Sequence, residues 1–140
     1  MPPWLGDLVR VCLGFTNTTN EAITITIPKG LIIISTDDKT QNGLVIKVET
    51  IEIPANAAVD FNLGAYCLNS GRTPALPGDV FEFGPVTQNS ALNELMELVK
   101  NKRIDNVTAS ATVQAALWNI TDGNGLTDGD KQAIAALPNN

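Results

Sequence analysis

The chain has 140 residues, with nine Lys/Arg against fifteen Asp/Glu and a formal charge of -6, which bounds it to one compact acidic domain over 1–140. A fold of this length hides roughly 68% of its unfolded surface, and 44% hydrophobic residues supply a core without a disulfide or a metal. Histidine is absent, which removes the general base of a Ser or Cys hydrolase, the imidazole ligand of zinc and any switch near neutral pH.

Lys100, Lys102 and Arg103 form the one local basic cluster, too small for phosphate neutralisation, so nucleic acid is not expected as a partner. No run reaches the length of a membrane span, and the opening MPPWLGDLVR has neither the basic start nor the apolar centre of a signal peptide. An exported protein would carry its leader outside these residues. Asn and Thr, fourteen of each, suit a surface-displayed β protein as well as many cytosolic domains. Cys12 and Cys67 permit either a disulfide or two unrelated thiols.

In chain order, Val11, Leu13 and Phe15 alternate from Val9, with Arg10 and Cys12 on the opposite face, and predict a half-buried strand that stops in the turn-rich Thr16-Asn17-Thr18-Thr19-Asn20. Ile23, Ile25 and Ile27 alternate with Thr24 and Thr26. After the corner Pro28-Lys29-Gly30, the apolar run Leu31-Ile32-Ile33-Ile34 reads as a further strand. Leu44, Ile46 and Val48 keep one phase while Ile51 and Ile53 keep the other, which predicts a bulge or break near Glu49-Thr50. Val59, Phe61, Leu63, Ala65 and Cys67 share one phase and place Cys67 on the core side at the end of a long strand. A Gly/Pro-rich loop over 69–79 leads to a last short strand through Val80, Phe81 and Phe83 before Gly84-Pro85.

Beyond Pro85 the period changes. Leu92, Leu95, Met96 and Val99 form a helical stripe behind Ser90 as N-cap, with Lys100-Asn101-Lys102-Arg103 at the C-terminal end. A second helix is predicted from near Ser110 through Val113, Leu117 and Ile120, and a third behind Thr127, with Asp130 in capping-box position and Pro138 as its stop. The expected fold is mainly β with C-terminal α: a β-sandwich over 1–85 followed by a small two- to three-helix cap over 86–140, a closed barrel being the lesser alternative.

Gln114 lies within the apolar stripe of the second helix, one turn before Trp118, where an unpaired amide would cost about 1–3 kcal/mol. As isolated residues, Cys67 is a core thiol and Gln114 a hydrogen-bonded core amide. Together, however, Tyr66-Cys67-Leu68-Asn69 and the later Val113-Gln114-Ala115-Ala116-Leu117-Trp118 resemble the two signatures of bacterial cell-surface thioester domains, an aromatic-Cys-apolar motif and an apolar-Gln-x-x-apolar motif. The resemblance implies an internal thioester between Cys67 and Gln114, with Tyr66, Phe61 and Trp118 as flanking walls. Such a bond stores an acyl group that an amine on a partner protein or surface ligand can take, in a secreted or surface adhesion module that is not an enzyme and needs no cofactor.

The remaining motifs are weaker. Asp122-Gly123-Asn124-Gly125-Leu126-Thr127-Asp128-Gly129-Asp130 has oxygen ligands near calcium-loop spacing, but Leu126 and Ala133 stand where the loop needs an oxygen and a Glu, so a capped turn is expected and no metal. Asn17-Thr18-Thr19, Asn106-Val107-Thr108 and Asn119-Ile120-Thr121 fit the glycosylation pattern at a frequency this Asn/Thr content produces by chance. Lys29 or Lys47 could enter an intramolecular isopeptide, against a solvated-Lys alternative. The competing function is structural: a subunit of a surface filament or layer that self-assembles by pairing Val9–Phe15 with a neighbour's sheet edge and contains no thioester.

Overall fold

Alternating apolar residues and turn signals build the strands of the computed structural model, which describes residues 9–73 and 79–140, with the main chain alone at 9 and 10. The elements are β1 (Val9–Thr16), β2 (Ile23–Ile27), β3 (Leu31–Ser35), β4 (Gly43–Leu44), β5 (Glu49–Ile53), β6 (Ala58–Cys67), β7 (Phe81–Val86), α1 (Ser90–Val99), α2 (Val107–Thr121) and α3 (Asp128–Ala135). The opening residues 1–8 and positions 74–78 of the Gly/Pro-rich loop lie outside the described residues. Five strands form one sheet in the order β1-β6-β4-β3-β7, and β2 pairs with β5 in a separate ribbon. The pairings are antiparallel.

The two layers and the helical cap share the apolar residues by parity. Ile27, Ile51 and Ile53 of the ribbon meet Ile33, Val45, Leu63, Ala65 and Cys67 on one face of the large sheet, giving the sandwich core. Leu44, Ile46 and Tyr66 emerge on the opposite face and bury against Leu92, Leu95, Met96 and Val99 of α1, Val113, Ala116 and Leu117 of α2, and Ile134 of α3. The fold is therefore a β-sandwich with a three-helix cap on the outer face of its larger sheet.

Three boundaries differ from expectation. Regular pairing ends at Leu44, Val45 still bonds Leu31 O and Gly30 N–H, and the chain then leaves the ladder, so the break falls ahead of Glu49 and Val48 becomes exposed. Asn89, not Ser90, caps α1 by accepting from Leu92 N–H at 3.0 Å. Asn106 caps α2 from Ala109 N–H at 2.8 Å, so that helix begins three residues ahead of Ser110. The Thr127–Asp130 capping box is present as the spacing predicts. Position 84 within β7 requires glycine because a Cβ there would meet Ile34 Cδ1 at 2.7 Å and Ile32 O at 2.9 Å, and Pro85 is tolerated because β7 is an outer strand.

Lys29 and Lys47 each bridge the β region to the C-terminal helical part. Lys29, at the β2–β3 corner, pairs with Glu97 of α1 at 2.8 Å, and Lys100 pairs with the same carboxylate at 2.8 Å. Those partners hold the Glu97 carboxyl down to about 2. Lys47 donates to the carbonyl of Lys102, which in turn donates from its own Nζ to Ala135 O and Leu137 O at the end of α3.

Asn17 is buried at the end of β1. Its Nδ2 donates to Glu21 O, Ile53 O and Pro54 O at 2.8, 3.1 and 3.1 Å, and its Oδ1 accepts from Thr19 N–H and Oγ1 at 3.0 and 2.7 Å. The side chain thus joins the β1–β2 turn to the end of β5. Asn17→Ala leaves those carbonyls without their donor and is expected to cost about 2 kcal/mol, read as a lower urea midpoint at unchanged slope.

Candidate functional site

Strand parity sets the two sides of the site. Tyr66 turns into the core beneath the helices, and Cys67, one residue on, turns into the sandwich core. The chain is pinned on both sides of this switch. Gly43 pairs with Cys67 and Leu44 with Tyr66 across β4–β6, so the cross-strand neighbour of Cys67 carries no side chain. Beyond Cys67, Leu68 N–H donates to Asn42 O at 2.9 Å and Asn42 N–H donates to Asn69 Oδ1 at 2.9 Å.

On its other edge β6 pairs with β1 through Val9↔Ala65, the first pair of the described register. Two residues past it, a side chain takes the place of a strand. Cys67 N–H donates to Gln114 Oε1 at 2.9 Å, and Gln114 Nε2 donates to Cys67 O at 2.9 Å. The carboxamide therefore makes the two hydrogen bonds a neighbouring peptide would make, and its carbon sits beside the Cα of Cys67. Both residues are inaccessible to solvent, Cys67 at 0% exposure and Gln114 at 4%. One turn back along α2, Ser110 Oγ donates to Tyr66 Oη at 3.4 Å. Two consecutive strand residues are thus read by two helix residues four apart.

Burial pushes the Cys67 thiol up to about 12, because no neighbouring charge offsets the loss of water around a thiolate. Cys12 and Cys67 are both free thiols. They could not meet without rearrangement: Cys12 pairs with Asn62 and is exposed, five residues along β6 from the buried Cys67.

The flanking residues separate into three cases. Trp118 packs against both cores, and its Nε1–H is buried without a hydrogen-bond partner. Tyr66 is buried beside Cys67 in the chain but on the opposite face of the sheet. Phe61 shares the phase of Cys67, yet six residues of extended chain put it about 20 Å away, so it is no wall of this site. Asn42 and Ser110 are contributors that periodicity did not single out; an Asn-Gly pair and a Ser on a buried helix face are their only marks in the sequence.

The acidic turn after α2 behaves as a capped turn. Asp122 Oδ1 accepts from Ser70 Oγ at 2.8 Å, and Asp130 Oδ2 accepts from Asn119 Nδ2 at 2.8 Å and Thr127 N–H at 3.1 Å. Burial opposes ionisation of Asp130, but these hydrogen bonds outweigh it and hold the carboxyl below its usual range. Among the described residues no group of three or more His, Cys, Asp or Glu is placed to hold a metal, and no helix is long and apolar enough to cross a membrane. No protein-family model, curated protein or solved structure matches this chain.

The two-sided clamp predicts a pH-dependent phenotype. Gln114→Glu keeps an acceptor for Cys67 N–H but sets a carboxylate against Cys67 O, and is expected to cost about 2–3 kcal/mol at pH 7. Protonation of the new carboxyl restores a donor. The gap in urea midpoint between variant and wild type should therefore narrow as pH falls toward 5, and a gap independent of pH would contradict the clamp.

Proposed function

We propose that the protein is an extracellular or cell-surface adhesion module in which Cys67 and Gln114 form an internal thioester that reacts with an amine on a partner. The observation that carries this reading is the placement of the Gln114 carboxamide on the main chain of Cys67 by two 2.9 Å hydrogen bonds in a site closed to solvent. Its remaining support is the pair of short motifs on a strand and a helix that the fold brings together.

Placement has to supply the rate. With a thiol raised to about 12 and no histidine in the chain, base activation of sulfur is weak, whereas near-attack alignment contributes on the order of 7–11 kcal/mol to intramolecular acyl transfer. In closure, the S–C bond forms at Gln114 Cδ, the C–N bond breaks, and the thiol proton leaves with the amide nitrogen as ammonia. In opening, an amine nitrogen bonds to Cδ, the C–S bond breaks, and an amine proton passes to Cys67 Sγ. Apolar walls slow competing hydrolysis.

Intact-mass measurement tests the reading. The wild-type chain should weigh one ammonia less than its sequence, and methylamine should convert it to an adduct at Gln114. Cys67→Ala and Gln114→Ala should show neither signature. A wild-type mass equal to the sequence, with no uptake of methylamine and Gln intact at 114, ends the proposal.

A second reading, self-assembly by strand pairing, draws on the outer strands. β1 and β7 are the two ends of the larger sheet, and Phe83 and Val86 on β7 are 60% and 48% exposed. It predicts a mass in light scattering that rises with concentration and returns to the monomer value in Phe83→Lys. A constant monomer mass across the series would remove it.

A further inference from the structure

An indole N–H buried without a partner is a cost that most proteins avoid, and Trp118 Nε1 is the one such side-chain atom among the described residues. Its setting is specific. Trp118 stands four residues after Gln114 on α2, and long helical side chains lean back over the turn preceding their own Cα. The indole accordingly lies over the turn that carries Gln114, and it packs against both the cap core and the sandwich core that contains Cys67. Of the two buried polar side chains on α2, Ser110 bonds to Tyr66 and lies two turns back, and the Gln114 carboxamide lies one turn ahead of Trp118.

In the amide form that carboxamide is held by both ends on Cys67, its oxygen accepting from Cys67 N–H and its nitrogen donating to Cys67 O. Attack by sulfur changes this arrangement. Cδ moves toward Sγ and becomes tetrahedral, negative charge develops on Oε1, and the nitrogen departs with its hydrogen bond. Cys67 N–H remains as one donor to the oxygen, and a buried second donor with no other occupation is worth most at that stage.

Resting on the thioester reading, we infer that Trp118 Nε1–H is the second donor to the Gln114 carbonyl oxygen during thioester closure and opening, forming with Cys67 N–H a two-donor oxyanion site. Charge on the oxygen is the same whether sulfur or an amine attacks, so the same donor serves both directions. The lone N–H of the amide form is then a group positioned for the reacting state.

The test follows methylamine uptake by intact mass in the full chain, comparing wild type, Trp118→Phe, and a variant with 3-benzothienylalanine at 118, which keeps the bicyclic shape and replaces N–H by sulfur. Both variants should take up methylamine at least about tenfold more slowly than wild type. In ¹⁵N-labelled protein the Trp118 indole proton should also move downfield in the thioester form relative to Cys67→Ala. If Trp118→Phe is slow but the benzothienylalanine protein reacts at the wild-type rate, the ring acts through packing and the donor role is overturned. Equal rates in all three proteins, or an indole resonance that does not move, overturn it as well. A wild type that has its full sequence mass and takes up no methylamine defeats the thioester reading itself, an outcome distinct from a reactive wild type with unaffected variants.

Discussion

The pairing of one side-chain amide with the main chain of one strand residue is the constraint on which the arrangement of this molecule turns. β6 is the only described strand that contributes successive buried residues to both cores at its end, Tyr66 to the cap and Cys67 to the sandwich. A strand in that position still presents polar N–H and C=O groups along its edge, and burying them unpaired beneath a helix would be unfavourable. Gln114 resolves the conflict by bonding both. With Ser110 bonded to Tyr66 one turn earlier, it also fixes the register of α2: a slide by one turn would set Leu117 against the Cys67 main chain or Ser110 too far from it to bond twice.

The surface end of the same strand-helix pair is tied as well. Ser70, three residues beyond Cys67, meets Asp122 at the end of α2 at 2.8 Å, and the Asn42 contacts hold the intervening backbone to β4. An exposed hydroxyl-carboxylate contact contributes little stability by itself. Its effect here is geometric, since two points of attachment remove the hinge that a single buried clamp would leave between strand and helix.

Much of this was legible in the residues, and what was not has identifiable physical causes. Alternation in 11–15 and 59–67 and the stripe Leu92, Leu95, Met96, Val99 gave the correct faces because each element buries one side only. The start of α2 was hidden because its first turn is exposed: Val107 and Thr108 precede Ala109, the first buried residue, so a hydrophobic period cannot detect them. At α1 both Asn89 and Ser90 are acceptable caps, and only the Asn side chain bonds the Leu92 N–H. The phase of Leu44, Ile46 and Val48 suggested a strand that the chain instead leaves after Val45, having sent Leu44 and Val45 to opposite cores. Phe61 shows the limit of parity most plainly, because a period of two states which face a residue occupies and nothing about its distance along the strand. That a polar residue on the α2 stripe required a partner was readable from Gln114; that the partner is a main chain was not, since backbone groups leave no mark in a sequence.

The chemistry assigned to the pair follows from what the site withholds from it. A reactive cysteine ordinarily has its thiolate favoured by a cation, an imidazole or a helix N-terminus, and Cys67 has instead an apolar surrounding that raises it to about 12. For a thiol acting as an intermolecular nucleophile this would be disabling. For a sulfur that has only to reach a carbonyl held beside its own Cα, it is less costly, because the attack is intramolecular and is followed by release of a small neutral product. The same surroundings act in the opposite direction on the proposed thioester: expulsion of a basic thiolate into an apolar core is unfavourable unless a proton arrives with the nucleophile. An amine brings both the lone pair and that proton, and it is a better nucleophile than water toward an acyl carbon. A raised thiol and a two-sided backbone clamp are thus mutually consistent with the proposed storage of an acyl group for an amine.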